Sequence, residues 1–143
     1  DLVIFKVPKL WLMSVFLLSC CPGAGDRLTP SETTTVKLVA QNVCFSVPDA
    51  QDYRPSIIII APRNTPPKER WYREKPALNV KDGQLCLPPS FYTFKTQTPY
   101  IVEYVLLPGE KNSSEASRHV VAGFELTNGN IRALALDDSE ISR

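Results

Sequence analysis

His119 and the cysteines are the residues whose types could do the most versatile chemistry. His119 is the only candidate general base, and Ser117 is the nearest hydroxyl. Two residues so spaced on a strand share a face, but this does not by itself make a nucleophile–base pair. The sequence contains neither a hydrolase nucleophile elbow nor a glycine-rich phosphate loop. It therefore predicts a protein that is not an enzyme, with His119 on the surface or on an edge strand.

The residue pattern gives no support for a metal or a cofactor. A structural zinc site needs four ligands, and only Cys44, Cys86 and His119 remain after the N-terminal region. Asp137 and Asp138 are adjacent, whereas a calcium loop supplies more oxygens at regular spacing. We expect no metal and no cofactor, and we interpret the two aspartates as solvated charges.

The composition indicates one globular domain and gives no electrostatic reason to expect nucleic-acid binding. The chain has 143 residues, 43% of them hydrophobic, and a formal net charge of +1. That length suits about one domain, and that hydrophobic fraction supports a core. Nucleic-acid binding requires a strongly basic face, which a balanced charge does not supply. The 13 prolines against 6 glycines favour strands with rigid connections over long helices.

Residues 1–25 have the pattern of a secretory signal peptide. Lys6 and Lys9 form a basic start, residues 10–18 form an apolar stretch, and small residues follow. This stretch is too short to span a bilayer, which takes about 20 residues. Two alternatives stay open: a buried element of the domain, and a bacterial lipoprotein lipidated at Cys20. The prediction places the protein in the secretory pathway, at the extracellular or luminal face of the plasma membrane.

Removal of that segment leaves two cysteines, Cys44 and Cys86. In an oxidising compartment they predict one disulfide. The bond would close a loop of about 40 residues, which stabilises the fold by roughly 3.5–4 kcal/mol in the chain-entropy model. The apolar residues of the predicted strand 42–47 alternate, so Cys44 is expected to point away from them.

Short strands separated by turn residues follow one another along residues 26–136. Four consecutive isoleucines in residues 56–61, between two prolines, predict a strand buried on both faces. Residues 99–107 and 118–126 predict an antiparallel pair, and Asp-Gly and Asn-Gly predict tight turns. The pattern predicts an all-β fold, an antiparallel β-sandwich of immunoglobulin or fibronectin type III-like kind. A flexible acidic tail is expected over residues 137–143.

The segment of residues 62–76 is the main candidate for contact with a partner. It is rich in proline and basic residues, and its centre reads Arg70, Trp71, Tyr72 and Arg73. Aromatic residues between basic ones can bind a protein partner, phosphate, nucleic acid or glycan. The sequence favours a solvated edge strand, centred on Trp71 and Tyr72, whose charges prevent edge-to-edge pairing.

Asn112 begins an N-glycosylation sequon, Asn-Ser-Ser. The sequon lies in the polar segment 110–117, between two predicted strands, where a modifying enzyme can reach it. The sequence therefore predicts a glycan on Asn112. Such a glycan would mask surface and improve solubility rather than take part in chemistry.

Two stretches of the chain resemble the luminal domain of the uroplakin II/III family. Residues 33–60 (TTTVKLVAQNVCFSVPDAQDYRPSIIII) are similar to the uroplakin III pattern of a threonine-rich start, an early cysteine followed by an aromatic residue, a polar loop and an apolar strand. Residues 99–117 (PYIVEYVLLPGEKNSSEAS) are similar to the final luminal strand pair of that family. Together the two stretches cover roughly half of the chain that follows the signal segment.

The resemblance implies a non-enzymatic membrane glycoprotein of an epithelium, which pairs with a tetraspanin-type membrane protein and builds plaques on the apical surface. Uroplakins follow the luminal domain with a transmembrane helix, but residues 124–143 contain none. Membrane association is therefore expected only if an anchor follows Arg143.

Two function classes result from these observations. The first is an extracellular or luminal β-sandwich module that acts by protein–protein contact. The alternative is a small secreted β-barrel or sandwich that carries an apolar ligand, which the isoleucine run and the aromatic residues would suit. Such a carrier needs an apolar cavity of about 300 Å³ or more.

Overall fold

A computed structural model describes residues 31–141 of the chain. The predicted signal peptide, with Cys20, lies outside the described residues. The strands within them are β1 (Glu32–Thr33), β2 (Val36–Val39), β3 (Asn42–Ser46), β4 (Arg54–Pro62), β5 (Trp71–Glu74), β6 (Gln84–Leu87), β7 (Pro99–Leu107), β8 (Arg118–Thr127) and β9 (Asn130–Ala133). Two 3-10 turns, Pro67–Glu69 and Glu110–Asn112, and a short helix α1, Asp138–Ile141, complete the elements.

The strands form two sheets that share one core. The larger sheet has the order β1–β8–β7–β4–β5, and β9 pairs with β8 beside β1. The smaller sheet has the order β2–β3–β6. Strand β1 runs parallel to β8, and the other pairs are antiparallel. The predicted all-β, antiparallel sandwich-like fold is confirmed.

The isoleucine run forms the middle of β4, between β5 and β7. Ile58 and Ile60 are fully buried between the sheets, while Ile57 and Ile59 are half-buried on the outer face of the larger sheet. On β7, the side chains of Tyr100, Val102, Tyr104 and Leu106 join the same core, and Ile101 and Glu103 on its outer face are buried as well. Alternation along these strands therefore decides which side chains fill the core.

Cys44 and Cys86 form the predicted disulfide. They lie directly opposite each other in β3 and β6, with their Cα atoms 4.0 Å apart. Val43 and Phe45, on either side of Cys44, point into the core, so the disulfide lies on the opposite face of the smaller sheet. It joins neighbouring strands of one sheet, whereas the disulfide of an antibody domain joins its two sheets.

Both predicted tight turns are present. Asp82 and Gly83 have φ values of 53° and 72°, and Lys81 and Gln84 exchange two backbone hydrogen bonds around them. Gly129 has a φ of 83° in the turn between β8 and β9. Residues 91–95 form irregular chain, and their aromatic side chains pack against the core.

The C-terminal segment differs from the flexible tail that the sequence predicts. Asp137 caps α1, because its carboxylate accepts a bond from the Glu140 N–H (2.9 Å) and its own N–H donates to the Glu140 carboxylate (3.0 Å). The Arg63 guanidinium donates two hydrogen bonds, of 2.6 and 2.7 Å, to the Glu140 carboxylate. Glu140 is buried, and this bidentate contact is the physical reason why the described part of the tail lies against the sheet.

Candidate binding edge of the larger sheet

Strand β5 lies at one end of the larger sheet. It pairs with β4 on one side, and no other strand of the described residues pairs with its second side. The extended stretch begins at Arg70, which follows a 3-10 turn with φ −78° and ψ 137°. It ends before Lys75, whose φ of 49° turns the chain. We call residues 70–74 the β5 edge.

The backbone of the β5 edge presents hydrogen-bonding groups to solvent. The Lys75 N–H donates to the Ser56 carbonyl at 2.7 Å, which fixes the phase of the pairing with β4. In an antiparallel pair, successive residues direct their backbone groups alternately toward and away from the partner strand. The N–H and C=O groups of Arg73 and Trp71 therefore face β4, and those of Tyr72 and Glu74 face outward.

Side chains of the edge divide between the two faces of the sheet. Trp71 and Arg73 lie on the core side, where the Trp71 ring meets Phe91 (5.5 Å between centroids) and Tyr92 (5.0 Å). The Arg73 guanidinium carbon lies 5.4 Å from the Trp71 ring centre and 5.3 Å from that of Phe91. Aromatic and cation–π contacts therefore attach both side chains to the core side of the sheet.

Tyr72 lies on the outer face and is 60% exposed. This is the largest exposed fraction among the large hydrophobic residues on the surface of the described part. Arg70 lies on the same face, where it donates to the Thr65 carbonyl (3.0 Å) and approaches the Glu103 carboxylate (3.7 Å). The structure therefore places Trp71, Tyr72 and Arg73 in β5 and Arg70 directly before it. It separates them into two packed on the core side and two on the outer side.

A second polar group on the outer face joins three residues that sequence analysis did not combine. Ser31 Oγ lies 2.7 Å from His119 Nδ1, and His119 Nε2 lies 3.2 Å from Glu103 Oε1. The glutamate is only 4% exposed. His119 is half-buried on β8, which lies inside the sheet rather than at an edge. The sequence marks Glu103, because it is the single charged residue in the apolar run of β7. Nothing in the sequence marks Ser31 as a member of this group.

This group has the distances of a nucleophile, a base and an orienting acid. Its ring orientation is the reverse of the serine-protease arrangement, where Nε2 meets the serine and Nδ1 meets the acid. Five cavities of the described part are lined by other residues. These hydrogen bonds hold the start of β1 against β8.

The cavities bear on the carrier alternative. The cavity that enters the sandwich between the sheets, lined by Leu38, Val43 and Phe94 among others, measures about 140 Å³. This is below the volume of about 300 Å³ that a ligand carrier needs. A larger space of about 660 Å³ is an open groove on the outside, where Pro55, Ile57 and Leu107 lie near the end of β5. These dimensions weigh against a ligand held in the core.

The predicted glycosylation site lies in the connection between β7 and β8. Asn112 ends the 3-10 turn between β7 and β8, and the residues that follow it, 113–117, are exposed. Within residues 31–141, no group of three or more histidine, cysteine or acidic side chains is placed to hold a metal ion. None of the helices in that range is both long and apolar enough to cross a bilayer.

The β5 edge, the disulfide and the polar group on the outer face all fall in a region that a known family model matches. That model, described as a domain of unknown function (DUF7480), matches residues 31–129. The chain belongs to this family. The DUF7480 match includes β1 to β8 and ends before α1, so the contact between Arg63 and Glu140 joins the matched domain to the segment beyond it. No curated protein and no solved structure matches the chain.

Proposed function

We propose that this chain is a non-enzymatic module of the extracellular or luminal space that acts by protein–protein contact through the β5 edge. The observation that carries the proposal is the open side of β5, where the backbone groups of Tyr72 and Glu74 face outward beside an exposed tyrosine ring. Sheet edges of this kind bind an additional strand, since main-chain bonds supply affinity and alternate side chains supply specificity.

The preformed extended conformation of the β5 edge supports this function. Trp71 and Arg73 are held by ring contacts on the core side, so the strand is already extended before a partner arrives. Ordering a flexible segment on binding costs free energy, and a preformed strand avoids that cost. The aromatic side chain most available to a partner is Tyr72, a residue type enriched in interface hot spots.

The disulfide supports the compartment part of the proposal, because such bonds persist in oxidising environments. The signal peptide, the glycan on Asn112 and the resemblance to uroplakin luminal domains remain predictions. A tetraspanin-type partner rests on that resemblance alone. Of the two function classes from the sequence, contact at the edge has an exposed strand in this structure, whereas the cavity between the sheets is smaller than a carrier needs.

A photo-cross-linking amino acid at position 72 tests the proposal in the full chain. We expect a defined covalent adduct with a protein when the chain is expressed in its secretory compartment. Glu74→Pro should abolish the adduct, because it removes an outward N–H, and Glu74→Ala should retain it. The same cross-linker at Val39, exposed on the smaller sheet, is the matched control. An adduct that Glu74→Pro leaves unchanged, or no adduct at position 72, contradicts the function.

A hydrolase is the second candidate, favoured by the contacts of Ser31, His119 and Glu103. Its test is the turnover of a nitrophenyl ester by the purified protein and by Ser31→Ala. Turnover that Ser31→Ala and His119→Ala both remove would establish a catalytic role for the group. Equal background rates for all three proteins would contradict the hydrolase and leave the group as a contact that holds the start of β1 against β8.

A further inference from the structure

We propose that the partner at the β5 edge is a second copy of this chain, which pairs antiparallel about a twofold axis at Tyr72. This inference rests on the proposed function, since it names the partner of the same edge. The two larger sheets would then join into one continuous sheet across the axis. Such an interface is isologous, with the same strand contributed by both copies.

The sequence of the edge is complementary to itself in this register. The five extended residues read Arg70, Trp71, Tyr72, Arg73 and Glu74, with Tyr72 at the centre. Antiparallel pairing about Tyr72 places Arg70 opposite the second copy's Glu74. It also places Trp71 opposite the second copy's Arg73. Each copy thus gains an ion pair and a cation–π pair from directly opposed residues, and each pair occurs twice.

The directions of the backbone N–H and C=O groups along the β5 edge agree with this register. Tyr72 directs its N–H and C=O away from β4, so the two central tyrosines can exchange hydrogen bonds across the axis. Glu74 directs its N–H outward as well and can donate to the second copy's Arg70 carbonyl. The Arg70 N–H is already directed to the Pro67 carbonyl at 3.4 Å, and this pairing does not require it.

Charge disfavours two registers on the C-terminal side of this one. An axis at Arg73 would keep the backbone phase, but it would place two arginines directly opposite each other. An axis at Glu74 would oppose two carboxylates. Like charges in directly opposed positions destabilise a strand pair. Arg70 can serve the second copy's Glu74 while it contacts Glu103, because a guanidinium has five N–H donors.

Cysteine trapping tests the register in the full chain with Cys20→Ser and Cys21→Ser. Opposed hydrogen-bonded residues have Cα atoms about 5.5 Å apart, within the range of a disulfide. Under a mild oxidant, Tyr72→Cys should therefore give a covalent dimer. Arg73→Cys is the matched control, because its two copies would lie about 8 Å apart and should stay monomeric. A dimer from Arg73→Cys alone, or from neither variant, overturns the register.

Sedimentation equilibrium of the unmodified chain tests the dimer itself. We expect a concentration-dependent dimer that Glu74→Arg weakens about tenfold, since each opposed charge pair contributes up to about 1 kcal/mol. Val39→Arg, on the smaller sheet, should dimerise like the unmodified chain. A monomer at every concentration, or equal dimerisation of Glu74→Arg, overturns the proposal.

The two proposals fail in distinguishable ways. A monomeric chain whose residue-72 cross-linker captures a different protein, in an adduct lost with Glu74→Pro, overturns the dimer and keeps the contact function. A monomeric chain with no adduct at position 72 overturns both. An adduct with the mass of two copies supports both.

Discussion

Tyr104 places a polar hydroxyl group inside the apolar core. Its side chain is fully buried, and its hydroxyl has no hydrogen-bond partner among the described residues. Burial raises the pKa of this phenol above its usual range, because the charged form would lose its hydration. Tyr53 offers a contrast within the same core, since its hydroxyl donates to the Ala116 carbonyl at 2.7 Å.

Removal of these two hydroxyls should have opposite effects on stability. We expect Tyr104→Phe to leave the free energy of unfolding unchanged or to raise it by up to about 1 kcal/mol, because no bond is lost. Tyr53→Phe should lower it by about 1 kcal/mol, because the Ala116 carbonyl loses its donor. Urea unfolding of both variants measures the difference. A larger loss from Tyr104→Phe than from Tyr53→Phe would show that the Tyr104 hydroxyl has a partner.

At the scale of elements, the smaller sheet depends on a connection that is long in sequence. Strand β3 pairs with β6, and the pairing closes a separation of 42 residues between the two cysteines. The intervening chain contains β4 and β5, which belong to the other sheet. The disulfide therefore restricts the unfolded chain across both sheets, although in the folded protein it joins only two adjacent strands.

Loss of this disulfide should destabilise the whole fold. We expect Cys44→Ala combined with Cys86→Ala to lower the free energy of unfolding by about 3.5–4 kcal/mol, from the loop length in the chain-entropy model. Denaturant unfolding with and without a reductant measures the loss. The double variant should not respond to the reductant. A loss below about 0.5 kcal/mol would indicate that the β3–β6 pairing is kept by packing alone.

At the scale of the whole molecule, two ion pairs attach the ends of the described chain to the larger sheet. Arg118 donates to both oxygens of Glu32 at 2.7 and 2.6 Å, and Arg63 does the same for Glu140. The hydrogen bonds from these arginines hold the pKa values of both carboxyls below their usual range. The contacts link residues 86 and 77 positions apart, respectively.

Acid should weaken both attachments. A carboxyl whose pKa is lowered by folding contributes stability that is present above its unfolded pKa, about 4.3, and lost as the pH falls through the folded value. We therefore expect a constant free energy of unfolding between about pH 7 and 5 and a decline below about pH 4.5. Glu140→Gln should be less stable at pH 7 and should decline less steeply. Glu115→Gln, on the exposed loop, is the control, and equal acid profiles for both variants would contradict the assignment.

Features that depend on neighbouring residues could be predicted from the sequence. The four isoleucines require a strand because β-branched side chains suit an extended backbone. Asp82-Gly83 requires a turn because these residues tolerate positive φ. The predicted removal of the signal segment leaves two cysteines, and the disulfide between them follows from that prediction whatever the topology. Alternation likewise places Tyr104 on one face of β7 with Tyr100, Val102 and Leu106, and the packing of the two sheets decides that this face meets the core.

Contacts between distant segments were decided by the tertiary structure alone. The sequence placed Ser117 beside His119, but the sheet brings Ser31 and Glu103 to the imidazole, because β1 and β7 both pair with β8. The short acidic tail gave no sign of Arg63, which reaches Glu140 across 77 positions. The self-complementary order of residues 70–74 is visible in the sequence. An edge strand is one of the interpretations that the sequence offers for this segment, and the strand order decides it. The side of a strand that stays unpaired depends on every other strand in the sheet.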